Sequence, residues 1–349
     1  MPIYAIIGNP PYQLTVAKKD TENGQKAVVN IFHHFQRLAD NLSPRFSSLI
    51  YPGGRWIHQS GKGLAEFGRQ QINDKRLALL RYFPDSTDVF DEVGIADGIS
   101  IVFKDRDKRS EGFIYVYSKG GQTTLVNAPN PGESLMPLDP MAVQISQKIK
   151  DTVNSRFGFM SSSILPRQLF SIESNFVEQN PNLVRPYKDG IELKKDEIKL
   201  FTNDKAGKAG RAKWFIAKRS VVKTGIEYLD RWKVVVSSAN AGGQKRSNQL
   251  AVLDNQTAFG RSRVALKTFE TEQEARNFYT YCRTNLIRYA FLLTDEALTS
   301  LGKLVPDLLD YSDANKNIDY TQDVDTQLYR LFGIDEALQA VIEQTLISQ

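Results

Sequence analysis

Ile6-Ile7-Gly8-Asn9-Pro10-Pro11-Tyr12, close to the N-terminus, is the stretch that decides the fold. Tyr4 to Ile7 is a short apolar run of the kind that forms a buried parallel strand. Gly8 ends it. The two prolines fix φ and remove two backbone donors, so neither a central strand nor a helix continues through them. Asn9 precedes a proline and is pushed to an extended conformation. The expected result is a stiff loop at the carboxyl end of a strand, where open α/β sheets place their ligands. The loop offers a side-chain amide, backbone carbonyls and an aromatic ring. That set suits a planar amine: the Asn9 side-chain oxygen and the Pro10 carbonyl each accept one amine proton, and Tyr12 stacks on the ring. With both protons held, the nitrogen lone pair is turned out of conjugation towards an electrophile, without a charged base. The plainer reading is a proline turn that only ends a strand.

The rest of the composition bounds the class. A chain of 349 residues has room for about two domains. Hydrophobic content of 41% and charged content of 24% describe an ordinary globular protein. No run of about 20 apolar residues marks a membrane span, and Met1-Pro2-Ile3-Tyr4 lacks a secretory pattern. Cys282 is the single cysteine, which excludes an intrachain disulfide and a Cys-rich zinc module and fits a reducing cytoplasm. A net charge of +5 permits nucleic-acid binding without demonstrating it. The three histidines, His33, His34 and His58, form no metal-ligand spacing.

From residue 13 to 25 the chain is polar and reads as a mobile loop over the site. Ala27 to Leu42 repeats apolar residues at spacings of three and four, which predicts an amphipathic helix. Phe46–Tyr51, Leu77–Phe83 and Ile99–Phe103 are further strands, with a helix over Leu64–Ile72, and Phe113–Tyr117 pairs with the last strand as a hairpin. Alternating strands and helices predict a parallel sheet with crossover helices. Gly61-Lys62-Gly63 before a helix is either a plain N-terminal turn or a DNA phosphate contact through Lys62. It is not a nucleotide P-loop, whose spacing is absent.

Taken together, the motifs resemble a known family. Asn9-Pro-Pro-Tyr-Gln13, Ser47-Ser-Leu-Ile-Tyr-Pro-Gly-Gly-Arg-Trp56, Gly61-Lys-Gly-Leu-Ala-Glu-Phe67, Tyr82-Phe-Pro-Asp-Ser86, Val89-Phe90 and Ile95-Ala-Asp-Gly-Ile-Ser-Ile101 occur in that order. This is similar to the adenine-N6 DNA methyltransferase domain of fused type II restriction–modification enzymes. The resemblance implies a catalytic loop of Asn9, Pro10, Pro11 and Tyr12, with Phe90 as a second aromatic on the flipped adenine. Tyr51-Pro52-Gly53-Gly54 departs from the family, which more often has an apolar residue and then Pro-Ser or Pro-Asn. It also implies S-adenosylmethionine as methyl donor, held by a glycine loop and an acidic residue. Neither appears before the catalytic strand or in residues 264–349, so the chain reads as the target-adenine half without the donor-binding half. A split gene, a fragment and a loss of activity all remain open.

Downstream, residues 126–154 read as a linker and a helix over Met141–Asn154, and 155–349 as a DNA target-recognition domain with C-terminal helices. Lys205 to Lys233 is a basic segment with interleaved Trp214, Phe215, Tyr228 and Trp232, opposed in sequence only by Glu227 and Asp230. Its Lys213, Lys218, Arg219 and Lys223, with Lys245 and Arg246 of the following polar loop, are candidate DNA contacts; the competing reading is a solvated basic face. Asp189-Gly-Ile-Glu192-Leu-Lys194 is a weak echo of a nuclease core. Helices are expected over Glu272–Asn285, continuing through Leu293, then Leu301–Leu309, Asp325–Phe332 and Ile334–Leu346. Thr268–Ala275 and Leu328–Ile334 also resemble the end of the recognition region in the fused enzymes.

The expected fold is α/β: a partial Rossmann-like methyltransferase sheet over residues 1–125, followed by a mixed α/β target-recognition domain. The expected function is site-specific adenine-N6 methylation of double-stranded DNA, with a partner polypeptide carrying the donor-binding half. The alternative is a non-enzymatic DNA-binding specificity subunit or an inactive fragment.

Overall fold

The computed structural model describes residues 3–16, 27–54, 56–57, 64–92, 94–95, 97–132, 136–207, 209–238, 250–293 and 301–347. The chain divides into two compact units, 1–144 and 145–349.

The first unit is built on β1 (Ala5–Gly8), a hairpin of β2 (Gln13–Val16) and β3 (Ala27–Asn30), α1 (Phe32–Leu42), β4 (Phe46–Pro52), α2 (Ala65–Ile72), β5 (Leu77–Phe83), β6 (Ile99–Asp105), β7 (Phe113–Lys119) and β8 (Gln122–Ala128). Its six-stranded sheet has the order β1-β4-β6-β5-β7-β8. The parallel sheet expected from the alternation is corrected to a mixed one. β1–β4 and β5–β7 pair parallel, while β6 runs back between β4 and β5. β7 does not form a hairpin with β6. It lies beside β5 and turns into β8. Gly120 and Gly121, both at positive φ (56° and 78°), supply the two-residue turn that favours that hairpin.

Three further expectations fail in this unit. β1, read as a buried strand, is the edge strand of the sheet, with Tyr4, Ala5 and Ile7 exposed because only β4 pairs with it. The helix read over Ala27–Leu42 begins only at Phe32. Ala27–Asn30 pairs instead with Gln13–Val16, so part of the loop expected over the site is a strand. One sheet face carries the core. Leu49, Val102, Leu80, Tyr115 and Val126 lie opposite one another in register and are all buried, against Phe32 and Ala39 of α1 and Phe67 and Ile72 of α2. Lys104 joins this face as a buried cation, with its Nζ 3.1 Å from Asp40 and 2.8 Å from Asp74. Hydrogen bonds from Arg76 and the charge of Lys104 outweigh burial and hold the Asp74 carboxyl far below the usual range.

α3 (Pro140–Arg156) spans the boundary of the units, and the linker read from residue 126 gives way to β8 as far as Ala128. The second unit contains β9 (Gly158–Phe159), α4 (Phe176–Gln179), β10 (Val184–Pro186), β11 (Glu197–Asn203), β12 (Ala212–Lys218), β13 (Trp232–Ser237), β14 (Leu250–Leu253), β15 (Thr257–Phe259), β16 (Arg263–Phe269), α5 (Glu272–Cys282), α6 (Asn285–Leu292), β17 (Pro306–Asp307), α7 (Val324–Leu331) and α8 (Glu336–Ile347). The strands form sheets β10-β12-β11-β15, β14-β13-β16 and β17-β9. The single helix read over Glu272–Asn285 and beyond is two, α5 and α6. The helix read over Leu301–Leu309 is absent: those residues make turns and β17, because Gly302 and Leu309 take positive φ (76° and 69°) and Pro306 interrupts any helical run. Thr271 and Glu274 form a capping box that starts α5. Among the described residues no helix is long and apolar enough to cross a membrane.

Candidate active site

Asn9, Pro10, Pro11 and Tyr12 follow β1 at its carboxyl end and run directly into β2. Asn9 and Pro11 are exposed, Pro10 is buried, and Tyr12 is half-buried against the core. The Ile31 N–H donates to the Tyr12 carbonyl at 2.9 Å, so the β2–β3 hairpin clamps the loop. The Tyr12 hydroxyl is enclosed and completes no hydrogen bond of normal geometry. Burial raises its pKa, and the nearby Asn9 side chain partly offsets that rise. Asn9 is thus the polar side chain the loop presents outward, and Tyr12 has its hydroxyl turned into the protein.

Beside this loop, at the same edge of the sheet, lie the ends of β4 and the start of β6. The Gly53 N–H donates to the Gly98 carbonyl at 2.6 Å. Trp56, fully buried, donates through Nε1 to Ser100 Oγ at 2.7 Å, and the Ser100 hydroxyl donates to the Gly53 carbonyl at 3.2 Å. Tyr82 donates to the Asp97 carbonyl at 2.9 Å. The departure at Gly53-Gly54 has a packing reason: a Cβ on Gly54 would sit 2.9 Å from Leu138 and from the Tyr82 ring.

Gly98 is more tightly constrained. It has φ +75°, and a Cβ there would lie 1.9 Å from the Phe83 carbonyl oxygen. Gly98→Ala should therefore lose about 3 kcal/mol or more of unfolding free energy in urea titration. Gly94→Ala is the control, since a Cβ there meets nothing within 4 Å. Equal midpoints for the two variants would show that this brace is not rigid. This role went unread in the sequence, where Asp97-Gly98 signals a turn but not the strand end it packs on.

Phe90 is half-buried beyond the 3-10 turn Ser86–Asp88, with its N–H on the Ser86 carbonyl at 2.9 Å. In the sheet order β4 and β6 separate β5 from β1. At strand level Phe90 and Tyr12 thus start three spacings apart, roughly 14 Å. Lys62, Lys245 and Arg246 lie outside the described residues.

Of the remaining candidate DNA contacts, Lys213, Lys218 and Lys223 are exposed and Arg219 is half-buried, and they are less bare than their sequence implies. Lys213 pairs with Asp204 at 2.7 Å, Lys218 approaches Asp196 at 3.6 Å, and Arg219 forms a two-armed pair with Asp230. Lys223 donates to the Ser220 carbonyl at 2.8 Å. The segment read as opposed only by Glu227 and Asp230 is thus also met by Asp196 and Asp204, from other turns of the chain. Lys233, grouped with these by sequence, is fully buried and donates to the carbonyls of Leu229, Arg231 and Asp254 at 3.0, 2.5 and 3.2 Å. Burial pushes its ammonium down to about 7. Trp214 stacks on Phe201 with centroids 4.7 Å apart. Asp189, Glu192 and Lys194 lie in an irregular segment, without the strand setting a nuclease core needs. Among the described residues no His, Cys, Asp or Glu cluster could hold a metal ion.

Comparison with known proteins gives this geometry a family context. An adenine-specific methylase of Mycoplasma pneumoniae, itself uncharacterized, is 29% identical over 124 residues, which are 35% of this chain and 28% of that protein. The chain thus spans under a third of the relative it matches. Two solved structures align more broadly at low similarity. The type IIL restriction-modification enzyme MmeI in complex with DNA aligns at 10% identity and TM-score 0.34, over 99% of this chain and 57% of that one. The type IIG restriction endonuclease BpuSI aligns at 9% identity and TM-score 0.33, over 90% and 48%. The Eco57I restriction-modification methylase model matches residues 4–90. Through that segment, which holds the Asn-Pro-Pro-Tyr loop and strands β1, β4 and β5, the chain is similar to the Eco57I restriction-modification methylases.

Proposed function

We propose that this chain is a component of a site-specific DNA adenine-N6 methyltransferase in a restriction–modification system. The observation that carries the reading is an outward-facing Asn9 in a proline-stiffened loop at the carboxyl end of β1, inside the segment that matches the methylase family. The target adenine leaves the duplex, since its amine is unreachable in the stack. The Asn9 side-chain oxygen and the Pro10 carbonyl accept hydrogen bonds from its two amine N–H groups, Pro11 holds the turn, and the ring of Tyr12 stacks on the base. Phe90 is the second aromatic once its loop reaches across the sheet. S-adenosylmethionine, when bound, supplies an electrophilic methyl group.

The reading places the main donor-binding segment outside these 349 residues, on a partner polypeptide or on a further stretch of the same protein, and the complex in the cytoplasm, where its DNA is. The decisive experiment mixes this chain with a polypeptide bearing the donor-binding half and follows labelled methyl into DNA. Label in N6-methyladenine at one sequence supports the reading. Sequence-specific DNA binding without label would replace it with a non-enzymatic specificity subunit.

Lys213, Lys218, Arg219 and Lys223, with Lys62, Lys245 and Arg246, are the proposed DNA contacts. Affinity should fall linearly with log salt, each free cation at a phosphate adding about one to the slope. Lys223 has no carboxylate on it among the described residues, so Lys223→Ala should flatten the slope by nearly that amount. Lys213→Ala should do so by less, because Asp204 already shares its charge. A slope unchanged in the quadruple alanine variant would make the segment a solvated face.

A further inference from the structure

In the second unit, β12 and its edge partner β10 part at one end. β10 starts at Val184, opposite Ala217, and the 3-10 turn Pro181–Leu183 before it leads back to α4. β12 ends at Lys218 and bends away through the 3-10 turn Arg219–Val221. Where the two chains diverge lies a cavity of about 490 Å³, within the ~300–1,000 Å³ of small-molecule sites. Part of its wall is apolar: Val184 with the buried Ile216, Ala217 and Val221. Phe176, half-buried, lines it too. Its ring pairs with no other among the described residues, unlike Trp214 on Phe201 or Phe170 on Phe259. The rest of the wall is polar, with Arg185, Lys218 and Lys223 against one carboxylate, Glu197. Lys218 approaches Asp196 only at 3.6 Å, and Lys223 donates to the Ser220 carbonyl. The Lys194 N–H at 3.0 Å and Arg185 at 2.9 and 3.1 Å hold the Glu197 carboxyl below its usual range. Glu197 is therefore a fixed anion, and a carboxylate accepts about four bonds, so it has room for one more. Asn180 donates through Nδ2 to the Phe176 carbonyl at 2.9 Å, which leaves its Oδ1 as a second acceptor.

We propose that this cavity binds a single nucleotide whose base carries an exocyclic amine: the base lies on Phe176, its amine donates to Glu197 or Asn180, and its phosphate meets Lys218 and Lys223. The lining selects that chemistry by elimination. A bare anion would leave the apolar wall in water, and an alkyl chain would leave the cations and acceptors unmatched. A nucleotide brings a flat ring for Phe176, an amine for a carboxylate and a phosphate for the lysines. A base stacked in a duplex cannot enter, so the ligand is a free nucleotide or one extruded from DNA. The proposal deepens the reading of Lys218 and Lys223 as DNA contacts and rests on it only for the extruded source. Binding of a free nucleotide involves neither the methyl donor nor a duplex, so it can fail while methyl transfer stands, and the reverse.

The test titrates the full chain by calorimetry with deoxycytidine monophosphate, thymidine monophosphate and deoxyribose 5-phosphate. The cytidine nucleotide should bind roughly tenfold tighter than deoxyribose 5-phosphate, which has no ring to stack. It should bind about fivefold tighter than the thymidine nucleotide, which lacks the amine. Phe176→Leu keeps an apolar side chain but loses the ring, so it should weaken the cytidine nucleotide roughly tenfold and leave deoxyribose 5-phosphate unchanged. Lys218→Ala with Lys223→Ala, both at exposed positions, should weaken all three ligands while circular dichroism stays unchanged. Competition then separates the sources. Displacement of the cytidine nucleotide by a duplex with one bulged cytosine, and not by the same duplex fully paired, makes the ligand a nucleotide of DNA; displacement by neither makes it a free one. A cytidine nucleotide that binds no tighter than the other two ligands, or that is indifferent to Phe176→Leu and to the lysine pair, overturns the proposal.

Discussion

Asn9→Ala should reduce methyl transfer by roughly 10²–10³-fold or more in the reconstituted enzyme, the cost of deleting one preorganised hydrogen bond aimed at a reacting centre. Folding and DNA affinity should stay near wild type, because Asn9 is exposed and its side chain reaches only the Tyr12 hydroxyl of the same loop. Asn9→Asp separates the roles: a carboxylate still accepts an amine proton, so it should keep more activity than alanine does. Tyr12→Ala should cost roughly the 1–3 kcal/mol of a base–aromatic stack. Tyr12→Phe should be tolerated, since the hydroxyl is enclosed and completes no normal hydrogen bond. Single-turnover rates with labelled donor measure all four. Wild-type turnover by Asn9→Ala would remove the catalytic assignment, and a Tyr12→Phe defect as deep as Tyr12→Ala would shift the role of Tyr12 from ring to hydroxyl.

The loop was legible because its stiffness is local. Two prolines after a four-residue apolar strand dictate the backbone whatever surrounds it. The strands at Phe46, Leu77 and Ile99 were legible as apolar runs of the right length, but their directions were not. Direction is decided by what each strand lies beside: β6 turns back between β4 and β5, and β7 joins β5 rather than its neighbour in sequence. Residues 27–42 misled for a related reason. Apolar positions at 28, 31, 32 and 35 satisfy helical spacing, yet Ala27–Asn30 is held by Gln13–Val16, a pairing no window of that length contains. The basic segment shows the same blindness in electrostatics. Lys213 and Lys218 look unopposed in sequence, and their acids, Asp204 and Asp196, come from the two ends of the neighbouring β11 strand region. Lys233 looks like a surface cation, and only the carbonyls gathered around it by the turn before β13 and the end of β14 explain its burial.

The second large effect concerns the methyl donor. Asn9 leaves β1 at one edge of the sheet, with β4 on its other side, so a methyl group directed at an amine held by Asn9 approaches most openly from beyond β1. There the chain offers a short strand edge, Tyr4 at 72% exposure and Ile7 at 83%. Those contacts are few, and Ile3–Tyr12 holds no charged side chain, whereas the donor carries charged groups. Association must overcome an estimated 4–15 kcal/mol of lost freedom. Calorimetry on this chain alone should therefore show no S-adenosylmethionine binding at micromolar donor, and assays should show no methyl transfer. Adding a polypeptide that pairs with the β1 edge should restore both together. Among the described residues, the strand Ala5–Gly8 itself carries no lysine, proline or bulge of the kind that guards exposed edges, so the chain alone should self-associate as its concentration rises. Replacing Ile7 with lysine should suppress that self-association and, in the mixture, raise the partner concentration needed for half-maximal transfer. Stoichiometric micromolar donor binding by a monodisperse monomer would place a complete donor site within this chain, and the partner would lose its proposed role in holding the donor.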